Sequence, residues 1–181
     1  KGCIANGIPE ATANHIFDEM TDFAKYAFNK SHAACYAVVS YQTAWLKYYY
    51  PKEYMAALLT SVMDNITKVS EYILTCRQMG IEIMPPDINA GYSGFSVSGG
   101  AIRYGLSAIK SIGKSVVDAI IKERETNGPF VSMENFVERM SNKEVNRRTL
   151  ESFIKSGALD SLPGTRKQKT MVAPEVLDQK N

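Results

Sequence analysis

Apolar residues in the first half of the chain recur at helical spacing. Ile16, Phe17, Met20, Phe23, Ala24 and Ala27 follow the i, i+3, i+4, i+7 pattern, which predicts one buried face on a helix opened by Pro9. Phe28, Asn29, Lys30 and Ser31 interrupt that pattern, and Ser31 is expected to cap a second helix that ends by Pro51. A third helix is expected over Lys52–Ser61. A fourth runs from about Ile66 to Met79, with Ile66, Val69, Ile73 and Cys76 on one stripe and Gly80 closing it.

The pattern then changes. Ile81–Met84 is short and β-like, and Pro85-Pro86 forbids helix through the next residues. Gly91, Gly94, Gly99 and Gly100 mark a loop-rich stretch that reads as a domain boundary. Within it, Phe95–Val97 and Ile102–Tyr104 flank Ser98–Ala101 as a small β-hairpin. Short helices resume over Leu106–Lys110, over Val116–Glu125 behind a Ser115/Asp118 capping box, over Met133–Met140 behind Ser132, and over Arg147–Lys155 behind Asn146. After Leu162 the pattern dissolves into a polar tail or linker. The predicted fold is mainly α. It divides into helical residues 1–90, a linker with a β-hairpin over 91–105, four short helices over 106–162, and a tail over 163–181.

Composition changes this picture little, and charge somewhat more. Apolar residues at 45% and charged residues at 22% are ordinary globular values. Residues 1–90 carry 7 Lys/Arg against 9 Asp/Glu, whereas residues 91–181 carry 14 against 10. A basic second half points to an anionic partner, of which phosphate is the commonest. Cys3, Cys35 and Cys76 lie far apart with only two histidines present, so neither a zinc site nor a disulfide framework is expected. No long apolar run or signal peptide is visible, so a cytoplasmic chain without membrane attachment is expected. The chain begins at Lys rather than Met, and its first residues read as the middle of a longer protein.

The chemistry concentrates at Lys110, Ser111, Ile112, Gly113, Lys114 and Ser115. From Ala108 to Ser115 the chain nearly matches a P-loop, with Ala in place of the first glycine. A P-loop, however, needs a strand before it and more glycine than Gly113 alone. A helix-hairpin-helix fits better. Ile109 and Ile112 are then its apolar positions, Gly113 the point of close approach, and Ser111 stands where the first glycine is usual. Such a turn presents backbone amides at a helix N-terminus, where the macrodipole favours an anion, and grips phosphate without reading bases. A second helical pair follows, with Lys143, Arg147 and Arg148 at its connection, and the two pairs together are expected to straddle a duplex. The alternative is a four-helix cap with an ordinary basic surface.

One segment carries a family resemblance. Phe23-Ala-Lys-Tyr-Ala-Phe-Asn-Lys-Ser-His-Ala-Ala-Cys-Tyr-Ala37 resembles the fingers segment of the bacterial replicative polymerases of the C family, the DNA polymerase III alpha subunits. Ser40–Lys47, Tyr54–Ser61, Pro86–Asn89, Ile102–Lys110, Gly128–Phe130 and Leu150–Asp160 fit the same pattern in order. The resemblance implies a late part of the fingers over residues 1–90 and a tandem helix-hairpin-helix on duplex DNA thereafter. It also implies that Tyr26, Asn29, Lys30 and His32 face an incoming deoxynucleoside triphosphate. In such polymerases palm carboxylates hold magnesium, and the resemblance places them upstream of Lys1. This chain would then hold no cofactor and catalyse nothing alone, with other polymerase domains and replisome subunits as partners. The competing expectation is a non-catalytic helix-hairpin-helix module of a repair or recombination protein. Trp45 and Tyr48–Tyr50 are expected at the surface.

Overall fold

The structure is a computed structural model that describes residues 1–25, 30–140 and 145–178. Among these it contains nine α-helices and one small sheet, and the chain divides into two units, residues 1–45 and 46–181.

In the first unit, α1 (Gly2–Ala5) turns back through Ile8, whose amide donates to the Cys3 carbonyl at 3.1 Å. Helix α2 (Glu10–Lys25) starts directly after Pro9, as its fixed φ favours. Its apolar stripe is not buried: Phe17, Met20 and Phe23 are 68, 64 and 71% exposed. The expected buried face is therefore corrected. Periodicity shows that a face is apolar, but burial needs a partner surface, and none among the described residues covers it. Helix α3 (Lys30–Tyr49) already includes Lys30, so Ser31 lies inside the helix rather than capping it. It buries no residue, and Trp45, Tyr48, Tyr49 and Tyr50 are exposed as expected.

The second unit holds the core. Helix α4 (Pro51–Ser61) uses Pro51 in its first turn, and α5 (Ile66–Gln78) is capped by Asn65, whose side chain accepts from the Lys68 amide at 3.1 Å. Together they bury Met55, Leu59, Val69 and Cys76 against Phe95 and Ile102. Ile66, expected on that stripe, is 69% exposed. Strands β1 (Ile83–Met84), β2 (Ser96–Ser98) and β3 (Ala101–Arg103) form a sheet in the order β1-β3-β2. The β2–β3 hairpin has the expected register, Val97 opposite Ile102, and β1 joins β3 in parallel. Gly99 and Gly100 turn it with φ of +59° and +85°, as a two-residue primed turn requires.

Within residues 91–105, Phe95, Ala101 and Ile102 are buried, so this stretch contributes to a core rather than running as an exposed linker. The Ile88 amide donates to the Ala158 carbonyl at 3.0 Å, and Arg124 donates to the Ile88 carbonyl at 2.8 Å. The Asn89 side chain pairs with the Phe130 backbone in both directions, at 2.8 Å each. Pro86–Asn89 is a seam between the sheet and the helices that follow.

Those helices are α6 (Lys114–Asn127), α7 (Met133–Arg139) and α8 (Arg147–Ser156), with a short 3-10 turn at Leu106–Ala108 before them. Ser132 and Asn146 cap α7 and α8, and Gly157 ends α8 in the left-handed conformation. Phe136 stands edge-on to Phe130 and Phe153 at 5.1 and 5.9 Å between ring centroids, inside a core shared by all three helices. Arg139 meets Glu123 at 3.1 Å, largely out of water, and donates to the Gly128 and Pro129 carbonyls, fixing α7 to the end of α6.

The polar tail expected after residue 162 is corrected most sharply. Residues Arg166–Asp178 form α9, packed on α7 and α8. Its buried residues are Lys169 and Ala173. The Lys169 ammonium donates to the carbonyls of Leu159 and Leu162 at 2.7 and 2.8 Å, so a residue that reads as solvated is an internal clamp.

Candidate nucleic-acid interface

Two hairpins lie side by side in the second unit. The first runs from Leu106–Ala108 through Lys110–Gly113 into α6. Ile109 and Ile112 are 7 and 8% exposed and anchor the turn in the core, as their apolar character predicts. Ser111 has φ of +70°, the one non-glycine residue with positive φ among those described. The tight turn is therefore kept without the usual glycine, at a cost of about 1–2 kcal/mol for an L residue in that region. Its hydroxyl receives a hydrogen bond from Arg148 at 3.2 Å, from a residue 37 positions later.

Gly113 is the N-cap of α6. The Ser115/Asp118 capping box is not formed, because Ser115 already lies inside the helix and Lys114 takes Asp118 at 2.7 Å. Gly113 has φ of −77°, and a Cβ built there would meet only the Ser115 hydroxyl at 3.7 Å. Neither backbone conformation nor crowding within the chain requires glycine here. Its absent side chain leaves the first-turn amides of α6 with no N-cap acceptor and the approach to them open.

The second hairpin joins α7 to α8. Lys143 lies outside the described residues. Asn146 accepts from the Thr149 amide at 3.0 Å, so α8 begins with its N-terminus capped by a side chain. Arg147 and Lys155 both pair with Glu151, at 3.1 and 3.3 Å, and hold its carboxyl below the usual range, Arg147 foremost. The sequence pointed to Lys114 and Arg147 as cations of the site, but neither Lys155 nor the pairing of these cations with carboxylates was anticipated. The signal was present as i, i+4 spacing between Lys114 and Asp118, Arg147 and Glu151, and Glu151 and Lys155.

The P-loop alternative fails on this geometry, because the segment follows a 3-10 turn and not a strand. Of the residues expected at a nucleotide, Lys30 and His32 share the exposed first turn of α3, where the His32 ring stands 4.4 Å from Tyr36. Tyr26 and Asn29 lie outside the described residues. The described residues contain no group of three His, Cys, Asp or Glu side chains that could hold a metal ion. No helix among them is long and apolar enough to cross a membrane.

Residues 80–169 match the family model described as a helix-hairpin-helix motif. The match takes in the sheet and the start of α9, so it is wider than the four short helices read from sequence. Over 161 residues, 89% of the chain, the sequence is 48% identical to a DNA polymerase III subunit alpha of Thermus aquaticus. It is 49% identical over 92% of the chain to that of Deinococcus radiodurans, and 46% identical over 98% to that of Xylella fastidiosa. The chain belongs to the DNA polymerase III alpha family. It spans only 13, 12 and 15% of those three relatives' lengths. Within the DNA polymerase III alpha family, then, this chain corresponds to a short stretch that contains the paired hairpins.

Proposed function

We propose that this chain is the segment of a DNA-directed DNA polymerase that steadies duplex DNA by its phosphate backbone, without sequence preference. One observation carries the reading. Gly113 is a glycine that neither its φ nor its surroundings require, and as the N-cap of α6 it brings no side-chain acceptor to the helix's first amides, which leaves that role to a phosphate oxygen. Amides and a helix dipole recognise phosphate alike beneath every base pair, so the grip is blind to sequence.

In this reading residues 1–90 include the late part of the fingers, with Lys30 and His32, and Tyr26 and Asn29, facing the triphosphate of an incoming nucleotide. A lysine in a helix's first turn offers a compact charge for phosphate. Nucleotide addition, its palm carboxylates and its magnesium ions belong to other parts of the longer polymerase, along with its replisome contacts. The protein acts in the cytoplasm.

The test is a fluorescence anisotropy titration of labelled duplexes of unrelated sequence at several salt concentrations. Binding is expected to be weak, equal among sequences, and to fall with log salt by about 0.9 for each phosphate engaged. Salt-insensitive binding, or none while circular dichroism shows the helices intact, overturns the reading. Primer extension by the chain alone should give no product, and measurable extension overturns the placement of the palm elsewhere.

A further inference from the structure

Lys110, Lys114, Arg147, Arg148 and Lys155 of the two hairpins are not equivalent. Lys114 lies 2.7 Å from Asp118, and Arg147 and Lys155 share Glu151. A cation beside a carboxylate gives an approaching phosphate little net attraction, since the carboxylate repels what the cation draws in. Lys110 and Arg148 have no carboxylate partner among the described residues. Arg148 donates to the Ser111 hydroxyl, and Lys110 immediately precedes Ser111 in the chain.

Lys110 and Ser111 also line an open hollow of about 450 Å³, with Ser152 and Ser156 of α8 on its other side and Tyr104 at its wall. The hollow therefore joins the first hairpin turn to the flank of the second. Its lining offers hydroxyls and two cations: Lys110, with no carboxylate partner among the described residues, and Lys155, which pairs with Glu151.

We propose that Lys110 and Arg148, the latter oriented by the Ser111 hydroxyl, form a second phosphate seat, made of side chains and shared by both hairpins, beside the amide grip at Gly113. The inference rests on the duplex-holding reading above and adds to it where the charge-dependent part of the grip resides. Arg148 spends one N–H on Ser111, which orients its planar fork, and the remaining donors face a phosphodiester oxygen. The strain at Ser111 then has a purpose. A glycine would sit there without strain, but it has no hydroxyl to orient Arg148.

The experiment is the same salt-series titration of the 181-residue chain, with variants. Arg148→Ala is expected to weaken binding about ten-fold at low salt and to lower the salt slope by about one. Arg147→Ala, whose charge is already shared with Glu151, should lose no more than about three-fold. Ser111→Ala and Ser111→Gly should each weaken binding several-fold in the native background and not at all on top of Arg148→Ala, because each acts through that arginine. Ser111→Gly should also raise the melting temperature, which separates loss of the hydroxyl from loss of fold. Equal losses for Arg147→Ala and Arg148→Ala, or additive losses for Ser111 and Arg148, overturn the seat while leaving the amide grip standing. Absence of salt-dependent binding by the unaltered chain removes both readings.

Discussion

The two hairpins end one short helix and begin another by opposite means. At the first, α6 starts at a glycine that offers its amides no acceptor, on a turn held by a strained serine. At the second, α8 starts at Asn146, whose side-chain oxygen already accepts from the Thr149 amide. The core beneath is shared, with Val116, Val117 and Ile120 from one side and Leu150, Phe153 and Ile154 from the other. Shared packing with divergent caps teaches that the helix starts were set by different demands. The second is finished for stability, and the first is left unfinished for a ligand.

That contrast can be abolished directly. Gly113→Asp gives α6 the acceptor that α8 has, at a position whose φ and surroundings accept a side chain. It should raise thermal stability slightly, since Asp outranks Gly as an N-cap by a few tenths of a kcal/mol. It should also cost more than ten-fold in duplex affinity, as a carboxylate now fills and repels the phosphate position. Binding and melting measured on one preparation should move in opposite directions. Undiminished binding would show that the α6 amides hold nothing.

The complementary change is Asn146→Ala. Removing a satisfied cap should cost about 1 kcal/mol of stability, read by denaturant titration. Duplex affinity at temperatures where the chain stays folded should change less than for Gly113→Asp. A larger binding defect here would mean that the second hairpin is the principal grip.

The smallest expected effect sharpens the electrostatics. Asp118→Asn keeps a hydrogen-bond partner for Lys114 but removes the opposing charge. Affinity should rise about two- to three-fold at low salt and converge with the parent at high salt, as befits an exposed pair. A fall in affinity would show that Asp118 positions Lys114 for contact rather than muting it.

Much of the second unit was legible because local signals agreed. Ser132 and Asn146 announced α7 and α8, and Val97 and Ile102 stood where alternation put them across a glycine turn. Where reading failed, two signals competed or a partner was missing. Ser115 and Asp118 have capping-box spacing, yet Lys114 claims the same carboxylate and Gly113 takes the cap. Glycines at 91 to 105 look like a linker, yet Gly105 packs so tightly that a Cβ there would lie 2.7 Å from the Gly94 backbone.

Helix α9 was hidden by its lysine. Thr165 and Gln168 form a reciprocal capping box before it, with the Thr165 amide donating to the Gln168 side chain at 2.8 Å. That pair was present in the sequence and went unread, because Lys169 counts as polar until two carbonyls receive it. At the site, the turn and its cations were visible from sequence. The bond from Arg148 to Ser111 was not, since no local pattern links residues 37 apart. The helical spacing on α2 specifies an apolar stripe but carries no information on what covers it, and Phe17, Met20 and Phe23 are exposed.

The Asn89 clasp on Phe130 bears on how the chain can change in length. It closes the neck of a loop whose ends are 41 positions apart and which contains the β-hairpin, the first turn and α6. Closure entropy grows only with the logarithm of loop length, so material added inside a fastened neck costs little once the neck holds. At the tip of that loop, a Cβ on Gly99 would meet nothing within 4 Å, and one on Gly100 only the end of Lys52. Extra residues inserted between them would project into solvent and leave both hairpins in register, making Gly99-Gly100 the natural port for grafting a tag or a further domain.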